Sequence, residues 1–185
     1  MKTSPSSTIL ASAASAAFAL VASAASVAHA QPAPAATAPP AAARTFGVDA
    51  LVALPTGRYA DAVDVAIGGL ARLEIPSGVL TITGRAGLVY NVVKGDNLTL
   101  LFFPVYAGVR YPLGPSGLYI AGELGLTIGY GSRDSQFGSV SDTDTELGGT
   151  VGLGMRTGSV NLTGGLFIPD LDDAVAIGGS VGFDL

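Results

Sequence analysis

The chain contains no cysteine. That excludes a disulfide framework, a cysteine-based zinc site and a thiol nucleophile, and it removes the residue a lipoprotein would lipidate. Histidine is nearly as scarce. The only one, His29, lies in an N-terminal leader, so the rest of the chain lacks the usual general base near neutral pH. Charge is thin as well: 12% of residues are charged, and the formal net charge of −5 disfavours nucleic acid, whose phosphates need a basic surface. Long apolar runs are missing beyond the leader. The stretch LTLLFFPVYAGVRYPLGPSGLYIAGELGLTIGY, from residue 98, is greasy, yet Gly or Pro interrupts it every few residues and it carries Arg110 and Glu123. It is too broken for a membrane helix and too apolar for an exposed loop.

What the chain has in plenty is glycine, 26 residues of 185. Each glycine inside a helix costs about 0.5–1 kcal/mol relative to alanine, so this load suits strands, bulges and tight turns instead. The first 30 residues, MKTSPSSTILASAASAAFALVASAASVAHA, carry an early lysine, an Ala/Ser/Leu/Val stretch and the small-residue ending Ala28-His29-Ala30. That is the pattern of a secretory signal peptide cut before Gln31. Residues 31–43, QPAPAATAPPAAA, read as a Pro/Ala-rich disordered spacer, which leaves 44–185 as one folded domain outside the cytoplasm.

Within that domain the hydrophobic period is two. Leu101, Phe103, Val105, Ala107, Val109 and Tyr111 alternate with Phe102, Pro104, Tyr106, Gly108 and Arg110; the frame resumes at Leu118 and runs to Ile128 against Tyr119, Ala121, Glu123, Gly125 and Thr127. Similar alternation covers Phe46–Leu54, Val65–Ile75, Leu80–Tyr90, Leu147–Met155, Val160–Leu166 and Val175–Leu185. Eight strands of about ten residues, an even number, suit a closed antiparallel up-and-down barrel. A lipocalin-like soluble barrel would alternate too, so the character of the polar face decides. A water-facing exterior carries dense charge. Here that face is mostly Gly, Ala, Thr and Ser with about one charge per strand: Asp49, Arg72, Glu74, Arg85, Arg110, Glu123, Glu146 and Arg156. Sparse charges of mixed sign fit the tight lumen of an eight-stranded barrel, where acid and base pair across the interior. The apolar face then meets lipid, as a transmembrane β-barrel requires.

Aromatics near strand ends predict an interfacial girdle, with Phe46, Tyr111 and Phe183 at one rim and Tyr90 and Tyr130 at the other. Three connections read as short turns: IPSG (75–78), PLGPSG (112–117) and RTGS (156–159). The others, 55–64, 94–97, 131–144 and 167–174, read as generally longer and more acidic loops. Asp142, Asp144 and Glu146 have a D-x-D-x-E spacing, but Leu147 stands where a calcium loop needs its turn glycine, so solvated loop acids are expected and no metal site.

The 98–130 segment resembles the central hairpin of small bacterial outer-membrane barrels of the OmpA/OmpX-like and opacity-type group, and ALVALPTGRYADA is similar to that group's first strand and loop. The likeness extends over 44–185. It implies an eight-stranded outer-membrane barrel reached through a cleaved signal peptide, in contact with outer-membrane lipid. It also implies assembly by the barrel-assembly machinery through the last strand, AIGGSVGFDL, which ends in Leu185 where the family usually has Phe. Barrel enzymes of the outer membrane rely on a histidine, so a non-enzymatic protein without cofactor is expected, with a structural, envelope-integrity or surface role and little or no pore conductance. The alternatives are a soluble periplasmic lipocalin-like ligand binder and a narrow porin.

Overall fold

In the computed structural model, the described residues are 44–94, 98–135 and 138–185; the expected signal peptide and spacer lie outside them. Eight strands follow in order: β1 Thr45–Thr56, β2 Val63–Ser77, β3 Leu80–Val93, β4 Leu98–Pro112, β5 Leu118–Ser135, β6 Gly138–Thr157, β7 Val160–Asp170 and β8 Ala174–Asp184. One short helix, α1 (Gly57–Ala62), joins β1 to β2. Each strand pairs antiparallel with the next, and β1 pairs with β8 from Gly47↔Asp184 to Thr56↔Val175, so the sheet closes without a free edge.

Alternation sets the two surfaces. Val52, Leu54, Leu124, Leu147, Leu153 and Ile177 project outward and are exposed, Leu124 to 62%. Arg72, Glu74, Arg85, Arg110 and Glu123 project inward and are buried. A chain that exposes its aliphatics and buries its ions has inverted the solvent logic of a soluble fold. It is a membrane-spanning barrel, and closure pairs each strand with a neighbour on both sides. No helix among the described residues is long and apolar enough to cross a membrane, and the crossing is made by strands.

The lumen explains the glycines. Register places a glycine directly across from seven large inward side chains: Gly47 from Arg72, Gly68 from Leu51, Gly87 from Leu70. The same holds for Gly108 with Glu123, Gly125 with Tyr106, Gly154 with Tyr119 and Gly182 with Asp49. A Cβ at Gly154 would sit 2.1 Å from the Tyr119 ring, and one at Gly182 only 1.9 Å from Asp49 Oδ1. Small-against-large pairing is how a narrow barrel fills its interior.

Several expected loops are corrected. Residues 131–135 and 138–144 are strand instead of loop: β5 and β6 stay paired as far as Ser135↔Gly138, extending a hairpin past the barrel's other strands. Polar residues on both sides hide this from a hydrophobic period, because a strand pair in water needs no apolar face. The 55–64 segment holds α1, β7 runs on through Asp170, and the 75–78 turn narrows to Gly78-Val79, with Gly78 at φ 62°. Residues 95–97 of the β3–β4 connection lie outside the described ones.

Leu124→Arg places a charge on the outer face near mid-height and is expected to cost about 2–4 kcal/mol of barrel stability, read by urea unfolding in lipid vesicles. The shielded Gly154 tests the lumen instead: Gly154→Ala is expected to lose about 1–3 kcal/mol through overpacking against Tyr119.

Candidate functional site

The strand ends define two rims. The turn end holds the three short hairpins, the start of β1 and the end of β8; the loop end holds α1, the long β5–β6 hairpin and the β7–β8 connection. Toward the turn end, strands bring ions together that are far apart in sequence. Arg72 Nε donates to Asp49 Oδ1 at 3.0 Å, its Nη2 to Asp184 Oδ1 at 2.9 Å, and its Nη1 to Glu74. Glu74 also accepts from Arg110 and Arg156, so three guanidiniums share one carboxylate. Arg156 Nε lies 3.4 Å from Asp184 Oδ2. Nearer mid-height, Arg85 Nε donates to Glu123 Oε2 at 2.6 Å and Arg85 Nη2 to Thr150 Oγ1 at 2.9 Å; Thr83 Oγ1 donates to Glu123 Oε1 at 2.8 Å. Arg85 Nη1, 4.0 Å from Asp49 Oδ2, joins the two groups into one network.

Four arginines (72, 85, 110, 156) meet four carboxylates (Asp49, Glu74, Glu123, Asp184), so the network is neutral as a whole. Every strand but β7 supplies an ion. β7 joins through Tyr119, whose ring lies 4.6 Å under the Arg110 guanidinium and whose hydroxyl donates to Asn161 Oδ1 at 2.5 Å.

Of the charges expected in the lumen, Asp49, Arg72, Glu74, Arg85, Arg110 and Glu123 are buried in this network, and Arg156 closes it at the turn-end mouth with its side chain 35% exposed. Glu146 does not join it. It has inward parity, but it stands on β6 beyond the filled lumen and is exposed. Asp142, Asp144 and Glu146 succeed one another at every second residue of a strand, which spreads them along one face instead of curling them around an ion. Asp184 was missed, although it shares inward parity with Ser180 and Gly182; what marks it is its place opposite Gly47, and register is invisible in sequence.

The loop-end half of the lumen is also a correction to the expected small, polar interior. Leu51, Ala53, Ala66, Leu70, Val89, Tyr106, Phe167 and Ala176 fill it with hydrocarbon. Tyr59 of α1 closes the top: its ring lies 6.2 Å from Phe102 and its hydroxyl donates to Asn91. Burial, and secondarily Tyr106, push the Tyr59 pKa up, so the hydroxyl keeps the proton it donates. Lys94 Nζ donates to Ala60 O at 2.5 Å, and Arg58 pairs with Asp173 at 3.0 Å, pinning α1 on two sides.

Two lumenal cavities accompany this filling. One of about 40 Å³ touches Leu51, Leu70, Arg85, Tyr106 and Phe167. The other, about 180 Å³, lies at the turn end against Glu74, Thr81, Arg110, Tyr119 and Arg156. On the outside, Phe46, Tyr111 and Phe183 are exposed toward the turn end, and Tyr90 and Tyr130 flank Leu101 in one cross-strand row toward the loop end.

No protein-family model matches the chain, and no curated protein sequence does either. Solved structures do. The attachment invasion locus protein Ail of Yersinia pestis aligns at TM-score 0.58 and 14% identity, over 77% of this chain and 98% of that one. The N-terminal β-barrel domain of Pseudomonas aeruginosa OprF aligns at TM-score 0.54 and 13% identity, over 76% and 97%. This is the fold of the small outer-membrane barrels.

Removing Glu74 leaves three guanidiniums facing one another, so Glu74→Ala is expected to cost about 3–5 kcal/mol in urea unfolding. Glu146→Gln, on the exposed rim, is expected to stay within about 0.5 kcal/mol of the parent.

Proposed function

We propose that the chain is a non-enzymatic integral protein of a bacterial outer membrane, with a closed lumen and a loop end that serves as its interaction surface. The observation that carries this reading is the inverted distribution of side chains: exposed aliphatics around the whole wall, and ions neutralised inside it. A soluble ligand binder of lipocalin type would place its charges on the outside.

Two different barriers support a closed barrel. Solute entering at the loop end meets Tyr59 and the apolar fill, and solute entering at the turn end meets paired ions. Among the described residues the carboxylates of the lumen are engaged by arginines, which leaves no free base there, and the one histidine of the chain is His29 of the leader. With the lumen occupied, recognition falls to the rim, where the paired β5–β6 hairpin projects beside Asp144, Glu146, Asp170 and Asp172. The likeness to Ail, a protein named for attachment, favours a surface role over transport. Phe183 points outward near the end of β8 and exposed Leu185 follows the strand, which suits recognition by the barrel-assembly machinery.

The chain is expected in the outer-membrane fraction, with heat-modifiable gel mobility and no step conductance in planar bilayers. Tyr59→Ala alone is expected to leave conductance at baseline, because the ionic barrier stays in place. Recovery as a detergent-free soluble monomer would overturn the proposal. Open-channel currents from the unaltered barrel would overturn its closed lumen.

A further inference from the structure

Beyond the rim, β6 has a neighbour on one side only. It pairs with β5 as far as Ser135↔Gly138, whereas its ladder with β7 begins at Gly149↔Ile168. One further bond, from Leu171 N to Leu147 O at 3.0 Å, ends the cover on the β7 side. The Leu147 carbonyl therefore points away from β5. Because the β5–β6 register runs without a shift, the backbone groups of Ser141, Thr143 and Thr145 point the same way. Among the described residues no strand lies against them. The Thr143 N–H, left without a ladder partner, donates instead to Asp142 Oδ1 at 2.9 Å. Residues Val140 to Leu147 are all exposed. A row of unpaired, accessible N–H and C=O groups is a template for one more strand.

Charge selects which strand. Asp142, Asp144 and Glu146 follow at every second residue, so they share one face of this edge. Residues 131–147 contain four acids and a single base, Arg133. The exposed ion pairs of the described residues, Arg58–Asp173 and Lys94–Asp64, engage none of the three. Desolvation, and then Asp170, Asp144 and Asp172, hold the Glu146 carboxyl above its usual value, as crowded acids do. A second copy of the same edge is a poor occupant. Antiparallel self-pairing centred at Thr143 or Thr145 sets Asp144 against Asp142 or Glu146, and like charges directly opposite are destabilising. A strand with Lys or Arg at alternate positions meets the same row with attraction, at the repeat of about 6.6 Å that two strands share.

We infer that the β6 edge from Ser141 to Thr145 takes up an extended basic peptide segment as an added strand, with Asp142, Asp144 and Glu146 selecting its alternate Lys or Arg side chains. This rests on the loop end being the barrel's interaction surface, and it gives that surface a partner: a Lys/Arg-rich, extended stretch of another protein. Main-chain bonds supply affinity in this mode and the side-chain row supplies choice.

A short, end-capped fluorescent peptide alternating Lys and Thr, added to the full chain in octyl glucoside micelles, tests the edge by anisotropy. Saturable binding in the micromolar range is expected, with slowed hydrogen exchange at the Ser141 and Thr145 amides. The same peptide with every amide N-methylated keeps its charge, loses its ladder bonds, and is expected not to bind. Asp142→Asn combined with Asp144→Asn is expected to weaken binding about tenfold or more. Thr143→Pro is expected to abolish it in a folded barrel, since the Thr143 N–H is outside the β5 ladder and proline is tolerated on an edge. Heat-modifiable gel mobility of each sample reports the barrel itself. Silence from a heat-modifiable sample overturns the edge site and leaves the membrane reading standing; loss of the mobility shift in the unaltered chain overturns both. Equal binding of the N-methylated peptide, or unchanged exchange at both amides, reveals charge contact without strand addition and overturns the site. Undiminished binding by the double Asn variant overturns the basic partner. Should Thr143→Pro fail to fold, the methylated peptide and the exchange readout decide on the unaltered protein.

Discussion

In hydrocarbon a backbone N–H or C=O has no water to turn to, and every unpaired one costs several kcal/mol. This protein meets that constraint by bringing β8 back to β1 along ten paired residues. The rest follows from closing the sheet with only eight strands. An eight-stranded cylinder is barely wide enough for its own side chains. Many large groups point inward where a facing residue is glycine, and the register supplies one opposite Arg72, Asp49, Leu51, Leu70, Glu123, Tyr106 and Tyr119. The glycine content that argues against helices is therefore also the space in which the lumen is built.

Ions in such a space must satisfy one another. Four arginines and four carboxylates do so across seven strands, and β7 is tied in through Asn161 and Tyr119. Compared with well-packed hydrocarbon a buried ionic network adds little net stability, but a partly broken one is expensive. Its value lies in register: sliding β2 by two residues would separate Arg72 and Glu74 from Asp49, Asp184, Arg110 and Arg156 at once. The loop-end half solves the same filling problem with hydrocarbon, under a tyrosine carried by a six-residue helix. One half is sealed by packing and the other by charge, and chemistry available to outside molecules is left at the two rims.

Much of this was legible in the residues. Alternation at period two, with Gly, Thr and isolated ions on one face, is sufficient for the strand count and the inward direction of Arg110 and Glu123. Legibility failed where period two carries no apolar signal. The β5–β6 hairpin continues through Arg133 and Val140 because its two strands pair with each other in water, not because either faces a core. Glu146 has the parity of a lumenal residue and the height of a rim residue, and parity says nothing of height. Leu51, Leu70 and Val89 share the inward parity of Asp49, Arg72 and Arg85, and their clustering into an apolar half requires three strands in register.

The sequence by itself determined a glycine-rich, cysteine-free set of alternating strands, which side of each faces inward, and the residue types available for the interior, because strand geometry ties those properties to neighbours in the chain. The tertiary structure alone decided who meets whom: Glu74 with three arginines, Asp184 with Arg72, and Tyr59 over the lumen. Those meetings depend on the stagger between strands up to 112 residues apart in the chain, and stagger is set only when the ring closes.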